Sequence, residues 1–186
     1  MPRVPYRDRD AVPDDIAQIT DRQLAERGYV LNLYRALANS PGLLRAFGGL
    51  GGYLRNGSRL DPALRELAIL TVGRLANAPY EFQHHVEWAQ KAGISDEQIA
   101  ALGAWASSPL FDERQRAVMR YAWQATEQVQ VADAVVAAVR EFLDDERFTD
   151  LVAVVAFYNM VVRVLEPLQI TLEEEFLAKA HGEEIA

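Results

Sequence analysis

The chain has three histidines, and two of them, His84 and His85, follow Tyr80 and Glu81 within one short segment. Glu81 and His85 are four residues apart, a spacing that puts both on one face of a helix. Imidazole changes charge closest to neutral pH, and a neighbouring carboxylate fixes its tautomer and raises its basicity. The pair therefore reads either as a proton-transfer couple or as a solvated surface pair. His84 lies roughly 100° around the helix from His85, so the two do not line one pocket and one of them is structural. Glu66 stands in a segment, Pro62 to Ala76, whose Leu64, Leu67, Ala68, Ile69, Leu70, Val72 and Leu75 leave almost no polar face. A carboxyl near its start either faces solvent, where the helix dipole favours it, or is partly buried and holds its proton more tightly, as proton-transfer carboxyls do.

A second polar set lies near the C-terminus. Asn159, Arg163 and Glu166 follow an i, i+4, i+7 stripe on the apolar segment Leu151 to Leu165. A buried arginine has to be paired, so Arg163 is expected either in an internal ion pair, with Glu166 for example, or on an anionic ligand. Metal chemistry is poorly supported. Glu81 and His84 form one Glu-x-x-His, but a di-metal bundle needs that motif twice with further glutamates, and the remaining histidine, His181, lies in a polar tail. Neither a metal nor a cofactor is expected. The glycines at 48, 49, 51 and 52 are followed by no Lys-Ser/Thr and preceded by no strand, so they are not a phosphate loop. They leave room either for a neighbouring backbone or for a ligand.

Composition narrows the classes further. There are 186 residues, 50% hydrophobic and 25% charged, with no cysteine, the balance of an ordinary globular domain. The cysteine count removes disulfides, thiolate metal sites and thiol nucleophiles at once. A net charge of −8 offers no basic stripe to a phosphate backbone, so nucleic acid is not an expected partner, and a small anion would require arginines gathered locally. The residues up to Asp14 lack the apolar run of a signal peptide. The uncharged stretch Leu151 to Val162 falls short of the roughly 20 residues that span a bilayer, so no membrane association and a cytoplasmic location are expected.

The elements that must position these residues read as helices throughout, because apolar residues recur with helical period and no bounded alternation calls for a strand. The fold class is all-α, a single-domain helical bundle of about eight helices over 15–180, between an N-terminal extension, 1–14, and a C-terminal tail, 181–186. Asp61-Pro62 is a helix start, a capping side chain before a first-turn proline. Asn77-Ala78-Pro79 breaks that helix, and a second runs from about Tyr80 to Ala92 and ends at Gly93. Ser95 to Gln98 forms a capping box, and Pro167 is expected to close the last long helix.

The run RELAILTVGRLANAPYEFQHHVEWAQKAGISDEQI, beginning at Arg65, resembles the core of the carboxymuconolactone decarboxylase family, which includes the alkylhydroperoxidase D-like proteins. A fainter likeness extends from about Ser40 to Gln169 and takes in FYNMVVR. In the peroxidase branch a glutamate is followed by two cysteines and a histidine. On that spacing Glu66 matches the glutamate, Ala78 and Glu81 stand at the cysteine positions, and His85 matches the histidine. The resemblance thus implies the alkylhydroperoxidase D-like bundle in a trimer or hexamer, possibly a dimer, but without the dithiol, which disfavours a thiol peroxidase. It implies a cofactor-independent lyase or proton-transfer enzyme for a small carboxylated or lactone-like substrate of aromatic catabolism. His85 would donate or shuttle the proton, and Glu66 and Glu81 would set its charge and orientation. Tyr80 is the candidate hydrogen-bond donor to an enolate. Arg74, Asn159 and Arg163 are the candidates for holding the anionic substrate. The alternative is a non-catalytic oligomeric small-molecule-binding protein on the same scaffold.

Overall fold

In a computed structural model, which describes residues 1–181, the chain forms ten α-helices and, among the described residues, no strand. In chain order they are α1 (Asp14–Arg27), α2 (Asn32–Leu37), α3 (Pro41–Asn56), α4 (Pro62–Leu75), α5 (Pro79–Lys91), α6 (Asp96–Ala101), α7 (Glu113–Glu127), α8 (Asp133–Arg140), α9 (Asp145–Leu168) and α10 (Glu174–His181). Short 3-10 turns cover Arg9–Ala11 and Leu102–Ala104. The tail assigned to 181–186 lies, beyond His181, outside the described residues. The all-α class holds, and α10 is a helix that the apolar periodicity did not reveal.

The chain divides into two compact units, residues 54–163 and residues 1–53 with 164–186, the divisions falling inside α3 and α9. The 54–163 unit is built around α4, which packs against α5 and α7, while α7 packs against α8. Leu67, Leu70, Ala89, Ile94, Leu102, Phe111 and Met119 form its core, each at most 3% exposed. The helix starts follow the sequence signals. Asp61 accepts from the backbone N–H groups of Ala63 and Leu64 at 2.9 and 3.1 Å, satisfying two of the donors that a helix start leaves open. Ser95 and Gln98 close the expected capping box on α6, and Asp112 and Gln115 close a second on α7.

The connection from α4 to α5 is three residues long, with Asn77 in the left-handed region at φ +49°. Asparagine tolerates that conformation better than most residues. A Cβ on Gly73 would lie 3.4 Å from the backbone nitrogen of Phe82, so the absence of a side chain there lets α5 come close to α4.

The other unit buries Ile16, Leu33, Tyr34, Leu37, Leu44 and Phe47, with the rings of Tyr34 and Phe47 edge to face at 5.7 Å. The glycine run is helical, inside α3, and a Cβ on Gly48 would meet the Ile19 side chain at 3.0 Å. Of the two readings, a close neighbour rather than a ligand explains that position.

Two expectations about α9 are corrected. Pro167 lies inside its last turn, and the helix ends at Leu168, followed by Gln169 with φ +53°. The freed end is satisfied from elsewhere: Arg3 donates its backbone N–H to the Leu168 carbonyl and Nη1 to the Pro167 carbonyl, both at 2.9 Å. The helix also spans 24 residues, long and apolar enough by length and composition to cross a membrane. Leu151, Val154, Val155, Phe157, Tyr158, Val161 and Val162 on it are nevertheless buried within the protein, as in the core helix of a globular protein.

Candidate active site

Glu66 projects from α4, and Glu81 and His85 project from α5. All three are buried, at 2, 4 and 8% exposure. The Nδ1 of His85 is 2.7 Å from Oε2 of Glu66, and its Nε2 is 3.0 Å from Oε1 of Glu81. Both ring nitrogens therefore face carboxylates, so the ring can donate in both directions only as the imidazolium. The second oxygen of Glu66, Oε1, accepts from Nε of Arg65 at 3.2 Å. The result is a linear series in which positive and negative groups alternate: Arg65, Glu66, His85, Glu81.

Electrostatics follow from that order. Burial, the largest single influence on His85, favours its neutral form, but the carboxylates of Glu66 and then Glu81 outweigh it and raise the pKa to about 9. His85 is therefore charged at neutral pH. For Glu66, burial again acts first and upward. The His85 imidazolium and, after it, the Arg65 guanidinium prevail and hold the carboxyl below its ordinary range.

The two adjacent histidines part ways as the helical angle requires. His85 meets the acids and takes the edge of the Tyr158 ring at 4.9 Å, with Tyr158 in turn against Phe157 at 5.4 Å. The ring of His84 instead packs on Tyr80 at 4.6 Å. Tyr80 is 3% exposed and so belongs to the His84 side.

The other residues singled out in the sequence have contacts of their own. Arg74 is exposed. Its guanidinium lies against Gly103, and it lines a cavity of about 350 Å³ with Asn77, Ala78 and Gln83. Asn159 donates to Oγ1 of Thr126 and to the Val155 carbonyl, both at 2.9 Å. Its own Oδ1 accepts from Nη1 of Arg163 at 2.6 Å. Arg163 is exposed, which corrects the expectation of a buried arginine: apolar neighbours in sequence do not bury every face of α9, and this side chain reaches out past Asn159. Two participants carry no sequence assignment. Tyr158 sits in an apolar run that reads as packing, and Arg65 precedes Glu66 with nothing but adjacency to mark its bond.

Comparison with known proteins gives the lineage. Residues 41–124 match the carboxymuconolactone decarboxylase family. That segment of the chain is similar to the family. The matched segment contains α4 and α5, and with them Glu66, Glu81 and His85 of this chain. An uncharacterized Bacillus subtilis (strain 168) protein, YdfG, is 25% identical over 109 residues, 58% of this chain and 74% of that one.

Among solved structures, a peroxidase-related protein with an alkylhydroperoxidase AhpD core, from Ralstonia eutropha JMP134, superposes with a TM-score of 0.84 at 23% identity, covering 95% of each chain. The debrominase Bmp8, as a cysteine-to-alanine variant in complex with 2,3,4-tribromopyrrole, gives 0.80 at 17% identity over 98% of this chain and 97% of its own. A peroxidase-related protein from Silicibacter sp. TM1040 gives 0.80 at 23% identity, over 97 and 93%. At these identities the structures establish the fold, which is alkylhydroperoxidase D-like. This chain has no cysteine.

Proposed function

We propose that the protein is a cofactor-independent proton-transfer enzyme, most specifically a carbon–carbon lyase, for a small carboxylated or lactone-like metabolite. The observation that carries this reading is the His85 ring held between two buried carboxylates, one at each nitrogen. A charged imidazole out of bulk water is a stored proton, and a general acid is what a decarboxylated carbanion requires. The carbon–carboxylate bond breaks, its electron pair moves toward the substrate's own carbonyl as an enolate, and carbon dioxide leaves. His85 then gives a proton to carbon and is recharged from water. Nothing is oxidised or reduced, so the lack of a thiol is no obstacle.

Within this scheme Glu66 positions the ring through Nδ1 and Arg65 holds Glu66 ionised. Glu81, on the Nε2 side, is the carboxylate that must give way for the proton to leave. The similarity of residues 41–124 to the carboxymuconolactone decarboxylase family supports the same reaction class.

A second reading is favoured by one specific feature. Both ring nitrogens are occupied, which is also how a purely structural charge cluster is built in a binding protein. Carbon dioxide release and solvent deuterium uptake, measured over a panel of unsaturated lactone acids, separate the two. Under the lyase reading His85→Gln and Glu66→Gln keep the helical circular dichroism and lose turnover by at least about a hundredfold, the usual scale of general acid catalysis. Variants that turn over like the parent would end it.

A further inference from the structure

Arg65 also lines a cavity of about 630 Å³ in the same unit, together with Arg55, Arg59, Arg114 and Arg147. Its volume falls in the range of small-molecule sites. Five arginines lining one recess stand against the chain's net charge of −8. The single acid in the lining, Asp61, is occupied in capping α4. Arg65 is paired with the buried Glu66 at 3.2 Å, whereas the carboxylates that meet Arg59 and Arg147, Glu146 at 3.0 Å and Asp144 at 3.8 Å, do so in pairs about 40% exposed or more. The Arg114 guanidinium lies over the Phe142 ring at 5.4 Å. Phe142 and Leu64 give the cavity an apolar wall.

Like charges gathered in one recess repel, and planar guanidinium forks match oxyanions in pairs. We propose that this cavity is the subsite for the carboxylate groups of a small, multivalent organic anion with an apolar body, and that Arg65 couples it to His85. The cavity's volume and the chain's net charge of −8 favour such a molecule over an extended polyanion. The coupling rests on the proton-transfer reading, whereas binding in the cavity does not. Arg65 bonds Glu66, which bonds His85, so an anion seated here adds negative charge near the relay and moves the imidazole midpoint upward.

The test is isothermal titration calorimetry on the full chain at neutral pH and constant ionic strength, with citrate and inorganic phosphate as probes. Citrate is expected to bind, and the Arg114→Gln/Arg147→Gln variant is expected to bind it at least about tenfold more weakly, the scale of lost charge-assisted hydrogen bonds. Arg120→Gln, remote from the cavity, should match the parent. No citrate binding, or equal binding by the parent and the double variant, overturns the site. Phosphate binding as tightly as citrate overturns its assignment to carboxylates. Should the double variant fail to fold, Arg59→Gln replaces it with the same criteria. His85→Gln should keep citrate binding, which separates the site from the relay; loss there with retention in the arginine variant overturns it. A His85 midpoint unmoved by saturating citrate overturns the coupling.

Discussion

Glu66 and His85, nineteen residues apart on α4 and α5, meet side chain to side chain at 2.7 Å with almost no exposure to solvent. An imidazolium in that position survives because a carboxylate faces each nitrogen. Remove one and the remaining charge is buried with half its compensation, a loss that costs about 3–5 kcal/mol when a buried ion pair is broken. Glu66→Leu should therefore lower unfolding stability by about that amount in urea titrations. Glu66→Gln keeps an acceptor for Nδ1 and should lose only about 1–3 kcal/mol. Equal losses for the two would show that shape rather than charge holds the pair.

Stability should depend on pH in both directions. His85 is raised from 6.5 to about 9, so its contribution is complete below 6.5 and fades as pH rises through 9. Glu66 is held below 4.5, so its contribution is complete above 4.5 and fades as pH falls through the folded-state value. Both are in full force between 4.5 and 6.5. The alkaline decline attached to His85 is of the order of 3 kcal/mol. Denaturant midpoints across pH should show it in the parent and a flattened alkaline limb in His85→Gln.

The close approach of α4 and α5 should be equally testable. With Phe82 backbone atoms 3.4 and 3.5 Å from the position of a Cβ at Gly73, an alanine meets ordinary contact distances, and its better helix propensity offsets part of any loss. Gly73→Ala should change stability by less than about 1 kcal/mol. Gly73→Val adds branches toward α5 and should cost about 1–3 kcal/mol. It should also lower the His85 midpoint by easing the helices, and with them Glu66 and His85, apart. A valine variant with an unchanged midpoint would show that the pair does not depend on that contact.

Much of this arrangement was legible in the sequence because its determinants are local. Asp61-Pro62 and Ser95 to Gln98 announce two helix starts through side chains that bond their own first turn. Glu81 and His85 share a face by spacing alone, and the all-round apolar α4 explains why Glu66 is buried. Long-range determinants were not legible. Nothing local says that Arg65 bonds Glu66 or that the Tyr158 ring edges onto His85. The arginines of the cavity come from α3, α4, α7, α9 and the loop before α4, so no window of sequence contains them. Arg163 shows the converse: its apolar neighbours suggested burial, but exposure on a helix is decided face by face, and Val152 and Met160 on α9 are 39 and 40% exposed as well.

The most direct measurement is a titration of His85 by nitrogen-15 NMR from neutral into alkaline solution, with His85→Gln to assign the signal. A stored proton between Glu66 and Glu81 requires both ring nitrogens to report the imidazolium at neutral pH and a midpoint near 9. A midpoint at or below the ordinary 6.5 would mean a neutral ring under working conditions, and no proton for His85 to give.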